Sequence, residues 1–192
     1  MRRQEIQLAW LSLLLLMSCF ACAHAQGEGS KNQPYVALPP GSMNRGLITI
    51  DNRRLRLSDY PDKTIVLNLF ASWCGPCVLN LRDLVLVSKT YRVHPIEVIG
   101  LVSHKNDPNI AFVRRFLRHQ KVKFPVIWDN NDFGESLVKA INGHSVIPQT
   151  FVIDKFGRIQ KHFEGYSPLN SSQLLREALD QVGQETKATM SR

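Results

Sequence analysis

The sequence predicts an α/β domain in which a mixed central sheet is flanked by helices. Three observations carry this. Short apolar runs of strand character alternate with longer stretches of helical period. Two of the runs, 150–153 and 159–163, are joined by a tight turn signal rather than a helix, so that pair is antiparallel. An amphipathic stretch from Leu169 to Val182 then closes the pattern.

In chain order, Gly46 to Leu57 places Leu47-Ile48-Thr49-Ile50 and Leu55-Arg56-Leu57 around Asp51-Asn52, which reads as a hairpin. Ile65 to Phe70 is a central strand, and Val78 to Val87 a buried helix with few breakers. Pro95 breaks the chain before a second central strand, Glu97 to Val102. Pro108 is expected to open a helix with Ile110, Phe112, Val113, Phe116 and Leu117 on one side and arginines opposite. Phe124 to Trp128 reads as a short strand and Phe133 to Ile141 as a short helix. Asp154-Lys155-Phe156-Gly157 is the turn between the last two strands.

Between the first central strand and its helix stands Trp73-Cys74-Gly75-Pro76-Cys77. Two cysteines two residues apart at a strand-to-helix junction can open and close a disulfide with little backbone movement. The first sits at the positive end of a helix, where a thiolate is stabilised. Structural zinc would need four ligands. Outside the N-terminal segment the chain has only these two cysteines, and none of His94, His104, His119, His144 and His162 lies three to five residues from another. The pair therefore reads as a redox site, and no metal or cofactor is assigned.

The N-terminus reads as a targeting segment. Arg2 and Arg3 precede an apolar run from Leu8 to Phe20, and Ala23-His24-Ala25 offers a cleavage site. That run is about 13 residues long, whereas a membrane span needs roughly 20. Leu16-Met17-Ser18-Cys19 also resembles a lipobox, which would make residues 1–18 a lipoprotein signal and Cys19 the lipidated N-terminus. Cleavage after residue 25, lipidation at Cys19 and a retained anchor all stay open. Each puts the folded part outside the cytoplasm, in a bacterial periplasm, with attachment to the membrane through the N-terminus in two of the three. Residues 26–45, rich in Gly, Ser, Asn and Pro, are expected to be a flexible tether, 46–182 one domain, and 183–192 a disordered tail.

The net charge of +8 has clusters at Arg53-Arg54-Arg56 and Arg114-Arg115-Arg118-Lys121-Lys123. These read first as a solvated turn and helix face, and second as a surface for anionic membranes or acidic proteins. An exported chain without interleaved aromatics is not a nucleic-acid binder.

On three separated segments the chain resembles the thioredoxin superfamily, specifically the exported TlpA/ResA-type thiol-disulfide oxidoreductases. The first is Val66-Leu67-Asn68-Leu69-Phe70-Ala71-Ser72-Trp73-Cys74-Gly75-Pro76-Cys77. The second is Ile147-Pro148-Gln149-Thr150-Phe151-Val152-Ile153-Asp154, where such proteins carry a cis-proline, and the third is the helical insertion at 109–120. The resemblance implies a thioredoxin-like fold. Cys74 would be exposed and nucleophilic, with Cys77 more buried and resolving. Trp73 would shield the pair and Gly75-Pro76 would set its redox poise. Ile147 would pair with substrate main chain beside Pro148. It also implies disulfide-bearing exported clients, apocytochrome c among them, a membrane-bound electron donor and a monomer. The Gly-Pro pair favours reduction. Disulfide oxidation or isomerisation, and copper handling on the same scaffold, are the alternatives. The chain departs from the pattern at Asn68, where cytoplasmic thioredoxins carry a buried Asp, at Asn80, where ResA-type proteins carry a glutamate, and at Arg82, where thioredoxins place a helix proline.

Overall fold

The computed structural model describes residues 35–107 and 109–190. The targeting segment, the first part of the tether and Pro108 lie outside the described residues. Among the described residues, eight strands and four α-helices follow in the order β1 (Val36–Ala37), β2 (Leu47–Ile48), β3 (Arg54–Leu55), β4 (Thr64–Leu69), α1 (Gly75–Thr90), β5 (Ile96–Ser103), α2 (Ile110–His119), β6 (Val126–Asp129), α3 (Phe133–Ala140), β7 (Gln149–Ile153), β8 (Arg158–Glu164) and α4 (Ser171–Met190). Six strands form one sheet in the order β1-β8-β7-β4-β5-β6. β4, β5 and β6 are parallel, while β7, β8 and β1 join antiparallel to make the sheet mixed.

β4 lies near the centre, paired on both edges, and all six of its residues are buried. An aliphatic run without polar alternation is what a strand covered on both faces requires. The strand period then divides its side chains between two cores. Val66 points with the following Phe70 into a cluster with Leu81 and Leu84 of α1, Val113 of α2 and Leu179 of α4. Ile65, Leu67 and Leu69 point the other way, to Phe133 and Leu137 of α3 and to Leu47 and Leu55 of the β2–β3 hairpin. Each large side chain buried in this way stabilises the fold by about 1.5–3 kcal/mol.

α1 buries Cys77, Asn80, Leu81, Leu84 and Val87, the three-and-four spacing of one helical face. It runs unbroken for 16 residues through Arg82. α2 is capped by the Asn109 side chain, which accepts from Phe112 N at 3.1 Å. Its buried line is Val113 and Leu117, with Ile110 and Phe116 partly covered. Phe112, expected on that side, is 44 % exposed because it lies too far round the helix, and Arg115 covers its ring instead. Arg114 is not a free surface cation either: its Nε donates to Ile50 O at 3.1 Å and ties α2 to the hairpin.

Two boundaries differ from the sequence reading. Residues 35–45, assigned to the tether, are part of the fold. Val36 pairs with Ile159, Leu38 N donates to Gly157 O at 3.0 Å, and Leu38 is buried in the second core. Gly157, at φ 76°, supplies the left-handed residue in the β7–β8 turn. At the other end, helix continues past Val182 to Met190 instead of fraying. Gly183 lets α4 lie so close to His94 that a side chain there would collide with the ring.

His94 ties three elements together at the end of the sheet away from the cysteines. Tyr91 Oη donates to Asp180 Oδ1 at 2.7 Å and lies 3.2 Å from His94 Nδ1, while His94 Nε2 is 3.1 Å from Thr64 Oγ1. With the Tyr91 proton committed to Asp180, the imidazole proton belongs on Nδ1 and Nε2 accepts from Thr64. Burial lowers the His94 pKa, against the opposing pull of Asp180, and burial also lowers that of His162. Between these lowered values and the ordinary 6.5, the unfolded chain holds more protons than the folded one. Their stabilising contribution is therefore complete above 6.5 and is lost as pH falls through that window. Melting curves from about pH 8 to about pH 5 should show Tm falling below the histidine midpoint, with a flatter profile in His94→Gln. A Tm that holds or rises on acidification through that range would contradict this assignment.

Candidate active site

β4 ends at Leu69, and Phe70 to Trp73 carry the chain over the top of the sheet into α1. Cys74 is the N-cap of that helix, with extended dihedrals of φ −85° and ψ 110°, and Pro76 fits its first turn. Its Sγ accepts from Cys77 N at 3.3 Å. Cys74 and Cys77 are joined, with S–S 2.06 Å and Cα atoms 5.2 Å apart. When the bond opens, the same N–H and the helix N-terminus stabilise a thiolate on Cys74.

The order of exposure is as the sequence reading has it, but the degree is not. Cys77 is fully buried and Cys74 is only 5 % exposed, whereas Gly75 and Pro76 lie open to solvent. Cys74 is covered from the β7 side, where Ile147 O lies 3.9 Å from its sulfur and Pro148 is buried. The Ile147–Pro148 peptide bond is cis. Trp73 stands largely open to solvent beside the pair. It is 65 % exposed, and its Nε1 donates to Asn106 O at 2.8 Å.

That contact belongs to a latch the sequence reading does not contain. The loop after β5 turns on Ser103, whose carbonyl accepts from Asn106 and Asp107. Buried Asp107 then accepts from Ser72 N at 2.6 Å. Ser72 and Trp73 are thus held in position from 35 and 33 residues away. No local pattern marks a buried Asp in a loop, so only the tertiary structure reveals it.

Asn68 and Asn80 meet beneath the site. Asn68 Nδ2 shares its two hydrogens among three acceptors, Asn80 Oδ1 at 2.6 Å, Thr150 Oγ1 at 2.9 Å and Gln149 O at 3.1 Å. Asn68 is fully buried, and its Oδ1 has no hydrogen-bond partner among the described residues. Two of the three positions at which the chain departs from its resemblance are therefore one contact, a neutral amide pair. One turn beyond Asn80, Asp83 accepts from Tyr166 Oη at 2.7 Å. Burial, followed by that bond, pushes the Tyr166 pKa up to about 12.

His144 and His162 are each committed to another side chain. His144 Nδ1 lies 2.9 Å from Glu164 Oε2, and His162 Nε2 lies 2.8 Å from Gln149 Oε1. Among the described residues, no three His, Cys, Asp or Glu side chains gather as a metal site.

Beside the disulfide opens a cleft of about 460 Å³, walled by Trp73, Val146 and Ile147 and floored by Leu69, Leu101 and Val138. Its rim is charged but internally paired, with Lys105–Asp132 at 2.7 Å and Lys139–Glu135 at 2.9 Å. The hydrogen bond from Lys105 lowers the Asp132 pKa, and the same bond raises that of Lys105.

A family model described as Redoxin matches residues 36–178. The chain is similar to the thiol-disulfide oxidoreductase ResA of Bacillus cereus, with 26 % identity over 86 % of this chain and 91 % of that protein. It is similar also to ResA of Geobacillus thermodenitrificans, with 27 % identity over 85 % and 90 %. Among solved structures, the pneumococcal exposed lipoprotein thioredoxin of Streptococcus pneumoniae superposes with a TM-score of 0.57. It shows 25 % identity over 71 % of this chain and 98 % of that one. The fold is thioredoxin-like.

In the reduced protein, iodoacetamide should modify Cys74 well before Cys77, as peptide mapping by mass spectrometry would show. Equal labelling, or Cys77 first, would contradict the order of burial.

Proposed function

The chain belongs to the Redoxin family and is a thiol-disulfide oxidoreductase, and we propose that it reduces disulfides in exported polypeptides. The observation that carries this reading is Cys74 at the N-cap of α1, with a backbone N–H on its sulfur and its partner cysteine buried behind it.

The thiolate of Cys74 attacks a substrate disulfide, forming a mixed disulfide and releasing one substrate thiolate, which takes up a proton. Cys77 then loses its proton and attacks Cys74 Sγ. The internal disulfide closes and the second substrate thiol leaves. Two electrons pass from the dithiol to the substrate, and a dithiol donor must restore the pair. For an exported protein that donor is membrane-bound, since the compartment itself is oxidising. The lipobox and cleavage signals, together with similarity to an exposed lipoprotein, support a location outside the cytoplasm. Paired cysteines that must be reduced before haem attachment, as in cytochrome c maturation, are one class of client that fits. Gly75-Pro76 supports reduction over oxidation or isomerisation.

Serine is itself a good N-cap, so Cys74→Ser should keep α1 and the fold. Its reduction of a disulfide-bridged polypeptide by dithiothreitol should drop to the uncatalysed rate. Cys77→Ser should instead accumulate a one-to-one mixed disulfide through Cys74. Turnover surviving in Cys74→Ser would sink the reading.

A further inference from the structure

The segment leading into Pro148 is held from within by a single side chain. Gln149 is 1 % exposed, and its Nε2 donates to His144 O at 2.8 Å and to Val146 O at 2.7 Å. Both acceptors are main-chain carbonyls, so the amide cannot be turned round. Oε1 must face away from the loop, and there it meets His162 Nε2 at 2.8 Å. The ring proton therefore sits on Nε2 and is donated to Gln149. His162 packs on Phe151 with ring centroids 4.5 Å apart, which fixes the ring. The chain of contacts runs from β8 through His162 and Gln149 to the loop.

Glu164 also grips this loop, accepting from His144 N at 2.8 Å and pairing with His144 Nδ1. That pair is at the surface, with the His144 side chain 84 % exposed, and water screens it. The Gln149 bonds are the buried ones. They turn the carbonyls of His144 and Val146 inward and leave Ile147 O as the carbonyl that faces the Cys74 sulfur, at 3.9 Å. On the far side, Gly165 N holds Pro148 O at 2.8 Å.

We propose that Gln149 is a positioning residue for polypeptide substrates: it fixes His144 to Val146 so that Ile147 presents its main chain to an extended chain beside Cys74. The proposal rests on the reading of this protein as a reductase of polypeptide disulfides. A loop ordered in advance does not have to be ordered when substrate binds, so its effect falls on affinity. The sulfur chemistry is set by the N-terminus of α1, whereas the Gln149 side chain bonds to His144, Val146 and His162. A small disulfide without a polypeptide main chain gains nothing from the loop.

The test uses the full chain with dithiothreitol as reductant and two substrates, a disulfide-bridged unfolded polypeptide and hydroxyethyl disulfide. Gln149→Met keeps the size of the side chain and removes its donors. It should raise KM for the polypeptide about tenfold while kcat, the rate on hydroxyethyl disulfide and the Cys74–Cys77 potential stay unchanged. His162→Phe keeps the ring against Phe151 but frees Oε1, and should shift KM in the same direction by less. It decides the matter by the same split should Gln149→Met fail to fold. Equal slowing of both substrates, or an unchanged polypeptide KM in both variants, overturns the proposal alone. A wild-type chain that turns over hydroxyethyl disulfide but not the polypeptide overturns the functional reading, and this inference with it.

Discussion

β4 is buried on both faces, paired on both edges and followed within a few residues by a helix, so the turn between them is confined to one end of the sheet. That confinement puts the N-terminus of α1 beside the loop leading into β7, because β7 pairs antiparallel with β4 and begins where β4 ends, Leu69 opposite Gln149. Cys74 and Ile147 are 73 residues apart in sequence, yet this register brings them together. Without the strand pairing there would be two nearby cysteines but no cover over them. The latch from Asp107 to Ser72 sets the turn from the β5 side, and the bonds of Gln149 set the facing loop.

The site's electrostatics come from the backbone more than from charged side chains. The hydrogen-bond donor to Cys74 Sγ is the Cys77 N–H at the positive end of a helix. Beneath the pair lie the neutral amides of Asn68 and Asn80, joined to each other and to Thr150. A neutral pair avoids the desolvation cost that a buried carboxylate would carry. The cleft beside the disulfide presents charges that already neutralise one another, leaving an apolar floor to meet a substrate.

What could be read in advance was local. The strands, the hairpin, the turn at Asp154 to Gly157, the two cysteines at a strand-to-helix junction and the Ile147–Pro148 segment are each announced by a short pattern of residue types. The places where the structure differs depend on contacts that no window contains. Tyr35 to Arg45 has the composition of a linker, yet it folds because β8 offers a free edge and Leu38 a core to enter. Phe112 counts as apolar in any helical tally but lies too far round α2 to reach the core. Asn68 and Asn80 were visible singly, but their contact was not. In the sequence Gln149 is only one residue of the Ile147–Asp154 segment, and its role emerges only with the carbonyls it binds.

The central claim is that this helix-capped pair donates electrons, and the reduction potential of Cys74–Cys77 in the purified protein tests it most directly. Equilibration against a thiol buffer should give a strongly reducing value, near the about −270 mV of thioredoxins. A value near about −120 mV, that of a strong disulfide donor, would reverse the direction of electron flow and contradict the account.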